Sequence, residues 1–216
     1  AIAAGVEERR AGHPAGSCEI DIELEPQLLI EGSAHRHPAR VRLVGVLQDV
    51  HGDRLLRSSY SRPDPKRELA LWIELLALSV AGGGSQAVLV GKDDVRTLHS
   101  PVDARAVLSD LLVLHQLAGH GPLPLSPAVS RSFAHARSRG ADPEAAFARI
   151  ARVWPPHAQP RYGFDSPDVW RQLFGDTFDT HDLRGLPCPL PPSWGADLHV
   201  FDTLAQRVWD PILAAR

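Results

Sequence analysis

The sequence contains no methionine, only two cysteines, and no hydrophobic run long enough to cross a membrane. A membrane-spanning helix needs about 20 consecutive apolar residues, so we expect no membrane contact. Cys18 and Cys188 lack the CxxC spacing of zinc ribbons and iron–sulfur clusters. They are expected to be reduced thiols in a cytoplasmic protein, with a disulfide as the alternative. Since methionine is missing even at position 1, we expect a piece of a longer polypeptide, and residues 1–12 do not resemble a signal peptide.

The sequence also lacks the glycine-rich motifs that bind phosphates. Residues 82–84 are all glycine but lead into a predicted strand rather than a helix, and no GxxxxGK[ST] pattern passes through Gly91 and Lys92. His35 and His37 have the spacing of two metal ligands on a strand, but no third ligand lies near them, so a polar loop is the favoured interpretation.

Charge is unevenly distributed, although the net charge is only −3. Residues 53–67 and 131–161 are rich in bases, whereas both ends of the chain are acidic. A basic zone of this kind is typical of a nucleic-acid contact. The alternative, which charge alone favours, is a solvated surface whose bases pair with the acidic ends. The bases of the first zone are Arg54, Arg57, Arg62, Lys66 and Arg67.

Hydrophobic patterning predicts strands mainly in the first half of the chain. Alternation of apolar and polar side chains is typical of half-buried strands, and a short continuous apolar run is typical of a buried strand. A hairpin turn at residues 51–53 joins two of them. The predicted strands span residues 18–25, 28–33, 40–50, 55–61 and 86–91.

Five predicted helices begin with a capping Ser or Asp followed by proline, a combination that suits a helix N-terminus. With a sixth at the end of the chain, the predicted helices span residues 65–81, 101–118, 127–139, 143–153, 167–174 and 197–214. The first is apolar almost all round, so we expect it to be buried against a sheet or another subunit. Proline-rich segments at 121–127 and 186–192 are interpreted as stiff connectors. We expect a sheet-bearing part at 1–120 and a helical part at 121–216, packed together as one structural domain.

Residues 41–84 combine a strand, a tight turn, a second strand and a long apolar helix. This arrangement resembles the metal-dependent nucleases of the PD-(D/E)xK type, which carry metal-binding carboxylates and a lysine at set places on the two strands. Here Gln48 and Arg57 replace the carboxylates, and Ser59 replaces the lysine. An amide is a weak ligand for Mg²⁺ and an arginine repels the ion. Asp49 is expected to point to the opposite face of its strand, so we expect neither a catalytic residue nor a metal ligand.

Four features together resemble the C-terminal domain of RecC, the gamma subunit of exodeoxyribonuclease V, which is the RecBCD helicase–nuclease. They are the segment 55–83, the GPLPLSP run at 121–127, an arginine- and alanine-rich helical pair at 127–153, and a terminal pattern that includes Phe201, Trp209 and Pro211. The resemblance implies an α/β domain of the PD-(D/E)xK type, with a mixed central sheet flanked by helices and a helical C-terminal part, that has lost its catalytic activity.

The resemblance further implies a complex that unwinds and degrades double-stranded DNA ends for recombinational repair. Its partners would be DNA and RecB-like and RecD-like subunits; ATP and Mg²⁺ would belong to those subunits, and no cofactor is expected in this domain. The expected DNA contacts are Arg54, Arg57, Arg62, Lys66 and Arg67. The expected subunit contacts are Trp72, Trp194 and Trp209.

Two alternatives remain open at this point. An active Mg²⁺-dependent exonuclease would use carboxylates from the set Glu19, Asp21, Glu23 and Asp49. A pure scaffold would dock other subunits and never touch DNA. Salt-dependent DNA binding after charge reversal of the bases separates the scaffold from a DNA contact.

Overall fold

The computed structural model describes residues 6–7, 12–26, 40–150, 167–176, 178–188, 190–195 and 199–216. The chain divides into two compact units. The first contains the described residues up to Leu114 together with Ala214–Arg216, and the second contains the described residues from His115 to Leu213. The expectation of a part at 1–120 and a part at 121–216 that pack together as one structural domain stays a prediction.

The first unit is built on a five-stranded sheet in the order β1-β2-β3-β4-β5. Its strands are β1 (Gly16–Leu24), β2 (Val41–His51), β3 (Arg54–Ser58), β4 (Gln86–Val90) and β5 (Val95–His99). Neighbouring strands are antiparallel except β3 and β4, which are parallel. A parallel pair needs a crossover connection, and helix α1 (Pro65–Val80) supplies it. The sheet is therefore mixed, as the sequence predicts.

Four predicted strands lie within three residues of observed ones at each end. The fifth, at 28–33, lies outside the described residues. Strand β5 has no counterpart among the predicted strands. Its five residues mix polar and apolar side chains, and it lies at the edge of the sheet beside β4. Short edge strands carry too few buried positions to give a clear periodic pattern.

Helix α1 begins where the sequence predicts. Asp64 caps it by accepting a hydrogen bond from the backbone N–H of Arg67 at 2.8 Å, and Pro65 occupies its first turn. Trp72, Leu75 and Leu76 are fully buried, which follows from the apolar character of the helix. Ile73 is exposed, however, so the helix keeps one open side in this chain.

A buried carboxylate joins α1 to β5 and the C-terminal residues within the first unit. Glu68 is fully buried and accepts a hydrogen bond from Arg96 Nη1 at 2.6 Å and another from the guanidinium of Arg216. The backbone N–H of His99 donates to the carbonyl oxygen of Ala215 at 2.8 Å. Two arginines on one buried acid provide the charge compensation that burial requires.

The other helices are α2 (Ala104–Ala118), α3 (Pro127–Ser138), α4 (Pro143–Ala148), α5 (Pro167–Phe174) and α6 (Val200–Ala214), with 3₁₀ turns at Thr180–Arg184 and Pro192–Trp194. Helix α2 begins three residues later than predicted, because Asp103 rather than Ser100 accepts from an amide of the first turn, that of Ala106 at 3.2 Å. Helix α4 ends at Ala148, before the predicted end at 153. No helix in the described part of the chain has the length and hydropathy to span a bilayer.

Aromatic contacts form the centre of the second unit. The ring of Phe201 packs edge-on against Phe133 at 5.4 Å and against Phe147 at 5.7 Å between centroids. Trp209 is fully buried beside them, and its indole N–H donates to Ser130 Oγ at 2.8 Å. A buried indole of this kind is stabilised because its one polar atom has a partner.

Arg184 connects three elements of the second unit. Its guanidinium donates to both carboxylate oxygens of the buried Asp202 on α6, at 3.0 and 2.8 Å, and to Glu144 on α4 at 2.8 Å. Its Cζ atom also lies 4.0 Å from the centre of the Phe147 ring. Burial lowers the pKa of Arg184, but the hydrogen bonds and charges of Asp202 and Glu144 together outweigh burial and raise the pKa, so the side chain stays charged.

Candidate functional site

Two of the three positions that are expected to replace nuclease residues come together in the first unit. Gln48 is exposed near the end of β2, and Arg57 lies on β3 with 25 % of its side chain exposed. Arg57 Nη1 donates to the carbonyl oxygen of Gln48 at 2.8 Å. Ser59 follows β3 and makes other contacts, with its N–H donating to Val90 at 2.9 Å and its hydroxyl 3.0 Å from that of Ser61.

An irregularity at Asp49 makes room for the Arg57 side chain. Asp49 has a φ of 58°, the left-handed conformation that non-glycine residues seldom adopt. Beyond it β3 pairs with β2 only at Val50 and His51. The guanidinium of Arg57 therefore lies where the two strands separate. It donates to the main-chain oxygen of Gln48 on β2 and, at 3.2 Å, to that of Leu56 on β3.

Two carboxylates converge on the Arg57 guanidinium. Its Nε donates to Glu74 Oε2 on α1 at 2.8 Å, and its Nη1 lies 3.8 Å from Asp49 Oδ2. The prediction that Asp49 points away is wrong, because its left-handed backbone breaks the alternation of the strand. Glu74 was not among the predicted site residues. The feature that could have indicated it is its position as the single carboxylate in the otherwise apolar stretch 69–78. The arrangement is an ion cluster with a guanidinium at its centre.

Three carboxylates of the exonuclease alternative, Glu19, Asp21 and Glu23, lie on the exposed face of β1, and the fourth, Asp49, belongs to the ion cluster on β2. Asp21 accepts two hydrogen bonds from Arg42 on β2, each at 2.6 Å, and this pairing lowers the pKa of Asp21. Among the residues that the structure describes, no three His, Cys, Asp or Glu side chains are grouped so that they could hold a metal ion. His35 and His37 lie outside the described residues.

The predicted basic contacts occupy several environments. Arg54 is half-buried at the start of β3, and Arg57 belongs to the ion cluster described above. Arg62, Lys66 and Arg67 are exposed between the end of β3 and the first turn of α1. Arg62 Nε lies 3.5 Å from Asp93, and Arg67 donates to Asp64 at 3.0 Å and to the hydroxyl of Ser61. Exposed ion pairs of this type contribute little to stability, so these side chains can exchange partners.

Two of the three predicted docking tryptophans belong to the interior. Trp72 and Trp209 are fully buried, each within its own unit, so neither presents a surface to a partner. Both side chains therefore belong to the hydrophobic core, which is the commoner role of tryptophan. Trp194 is partly exposed, and its ring lies 5.1 Å from Arg207 Cζ. It remains the one docking candidate of the three.

A cleft of about 200 Å³ lies within the second unit, where the two proline-rich segments meet. Residues 121–123 and 186–188 line it together with Leu117, His120 and Phe174. These segments therefore line a cleft, whereas the sequence predicts only that they connect other elements. Both cysteines are free thiols, as predicted, and partial burial of Cys188 in this cleft raises the pKa of its thiol.

Comparison with known proteins relates this chain to one family. A family model described as the RecC C-terminal domain matches residues 1–138. The RecBCD enzyme subunit RecC of Mycobacterium tuberculosis, from strains CDC 1551 / Oshkosh and ATCC 25618 / H37Rv, is 30 % identical over 182 residues. That of Mycolicibacterium smegmatis is 31 % identical over 192 residues. Each match covers 81 % of this chain and 16 % of the relative, so the chain spans only a small part of the relatives' length.

Proposed function

Because this chain belongs to the RecC C-terminal domain family, we propose that it is a non-catalytic domain that engages DNA and docks other subunits in a RecBCD-type complex. Such a complex would unwind and degrade double-stranded DNA ends for recombinational repair. ATP and Mg²⁺ would be bound by RecB-like and RecD-like subunits, and this domain would need neither.

The topology of the first unit supports a PD-(D/E)xK-like fold for this domain. Three successive antiparallel strands lead into a helix and then into a strand parallel to the third. Helix α1 covers the sheet through Trp72 and its leucines, so the sheet has the apolar support that such an α/β domain requires. On such a fold, Gln48 and Arg57 would occupy the places on β2 and β3 where the nuclease pattern has its metal carboxylates.

The observation that carries the proposal is the position of the Arg57 guanidinium. Glu74, Asp49 and the Gln48 carbonyl direct their oxygens at it, as ligands would surround a metal ion. A divalent ion placed about 4 Å from this cation would be opposed by about 4 kcal/mol for each unit of its charge, at an effective dielectric constant of 20. The fixed guanidinium therefore disfavours metal-dependent cleavage at this place.

The same guanidinium is positioned to contact a DNA phosphate. Its Nε and Nη1 donate to protein oxygens, whereas no described residue accepts a hydrogen bond from Nη2. Arginine binds phosphate oxygens well because its planar donors match their geometry. A contact of this kind positions a strand without reading its sequence. The exposed Arg62, Lys66 and Arg67 would extend the contact along the backbone.

Salt dependence of DNA binding tests this contact. In the assembled complex, Arg57→Met should weaken binding to a duplex end about threefold to tenfold and reduce the slope of log K against log salt by about one. The combined Arg62→Met, Lys66→Met and Arg67→Met variant should reduce the slope further. Arg40→Met is the matched control, since Arg40 is an exposed arginine of the same unit that pairs with the exposed Glu25.

A pure scaffold is the second candidate, favoured by the ion pairs that Arg62 and Arg67 make with Asp93 and Asp64. It predicts that neither set of substitutions changes the salt slope. An unchanged slope in both variants, with the complex still assembled, would exclude the DNA contact and leave the scaffold.

A further inference from the structure

One edge of β2 has no strand of the described part of the chain beside it over most of its length. β1 pairs with β2 continuously from Val41 to Val50, with one irregularity near the end. On the other side, β3 pairs only with Val50 and His51 among the described residues. The left-handed Asp49 separates the two strands, and the Arg57 side chain rather than a strand contacts Gln48. The backbone N–H and C=O groups of alternate residues in the segment 41–47, those that point away from β1, therefore face no described strand along this edge.

The side chains of this segment are exposed although the strand is apolar in sequence. Val44 and Val46 are 62 % and 55 % exposed, and they lie on one face because their positions alternate along the strand. On the opposite face, a Cβ placed at Gly45 would meet nothing within 4 Å. In contrast, Ile20, Ile22 and Leu24 of the neighbouring β1 are all buried. Val44 and Val46 lie on the face opposite to these buried residues and remain largely exposed there. Open apolar edges are normally covered.

An acidic row lies next to the exposed valines. Cross-strand neighbours share a face, and the register places Glu19 beside Val46, Asp21 beside Val44, and Glu23 beside Arg42. Arg42 compensates Asp21. Glu19 and Glu23 are exposed, and neither has an ion pair among the described residues. Arg42 lies beside Glu23 as well and interacts with it electrostatically, so the face combines an apolar column with three carboxylates and one base.

We propose that the open edge of β2, residues 41–47, docks an extended segment of a partner subunit by strand addition, with apolar residues of that segment on Val44 and Val46 and basic residues reaching Glu19 and Glu23. The partner's backbone would complete the ladder, which gives affinity, while its side chains give specificity. A strand added beside β2 would lie about 10 Å from β1. A lysine or arginine on the added strand can span this distance by passing over the small valines. That the partner is a subunit of the same complex rests on the proposed function.

The charges on this face argue against two other occupants. DNA phosphates would meet Glu19 and Glu23, and like charges repel. A second copy of the chain would bring a second β2 edge with its own acidic row, and the Arg42 of that copy is already paired with its own Asp21. An apolar and basic polypeptide strand fits both features of the face.

Hydrogen–deuterium exchange tests the proposal on the intact polypeptide, alone and assembled with the other subunits, without DNA. We expect the amides of residues 41–47 to exchange at least about tenfold more slowly after assembly. The variants Val44→Lys with Val46→Lys, and Glu19→Lys with Glu23→Lys, should each weaken assembly about tenfold or more. All four side chains are exposed, so the fold should tolerate these changes. Val102→Lys, at a fully exposed valine outside β2, is the matched control and should assemble normally.

Four results would overturn the proposal. Slow exchange already present in the intact polypeptide alone would assign the edge to another part of the same chain. Slow exchange that depends on concentration, with a dimer in solution, would assign it to a second copy. Unchanged exchange after assembly would exclude the edge as an interface. An intact polypeptide that does not assemble with those subunits would contradict the proposed complex as well. Since DNA is absent, the first three results do not affect the contact proposed at Arg57.

Discussion

At the scale of the residue, Arg57 has the greatest effect on what this domain can do. This single base sets the local charge, because Glu74 and Asp49 both face its guanidinium. The left-handed Asp49 belongs to the same arrangement, because a regular strand would direct its carboxylate away. The chemistry of the site thus follows from one side chain and one backbone angle.

The Arg57–Glu74 pair makes a prediction about stability. Arg57→Met leaves a carboxylate that is 33 % exposed without its partner, so we expect a loss of about 1–2 kcal/mol, between the values of exposed and buried pairs. Adding Glu74→Gln should recover part of this loss. Native-state hydrogen exchange at the α1 amides of the intact polypeptide measures both. Losses that simply add in the double variant would show that the two side chains do not interact.

At the scale of the element, the sequence predicts what depends on local pattern. Alternation gives β1 and β2, and proline after a capping residue gives α1 and α3 to α5. Glu74 reaches Arg57 only because α1 crosses the sheet, and Trp72 and Trp209 are buried by long-range packing. Neither fact is present in the local pattern, which explains why the carboxylate was missed and two docking residues were misassigned.

The elements of the second unit depend on Arg184. Asp202 is fully buried and Arg184 is only 9 % exposed, so Arg184→Met should cost about 3–5 kcal/mol by leaving a buried charge unpaired. Replacing both with apolar residues, Arg184→Met with Asp202→Leu, should recover most of it. Exchange of the α6 amides in the intact polypeptide gives the measurement. Arg171→Met in the same unit serves as the control, and an equal loss there would remove the special role of Arg184.

At the scale of the whole molecule, the chain carries two kinds of surface in its first unit. Arg57, with the exposed bases between β3 and α1, suits a phosphate backbone, whereas the acidic and apolar face of β1 and β2 suits a basic polypeptide. Family membership and this separation of charge agree with a domain that works inside a larger assembly. The match covers only 16 % of the length of the RecC relatives.

Titration of the intact polypeptide with Mn²⁺, followed by electron paramagnetic resonance of the free ion, tests the central claim most directly. If the Arg57 guanidinium takes the place of the metal, no Mn²⁺ site assignable to this domain should appear below about 1 mM, and Asp49→Ala with Glu74→Gln should leave the titration unchanged. A stoichiometric Mn²⁺ site that this double variant abolishes, together with Mn²⁺-dependent cleavage of linear duplex DNA, would contradict the account.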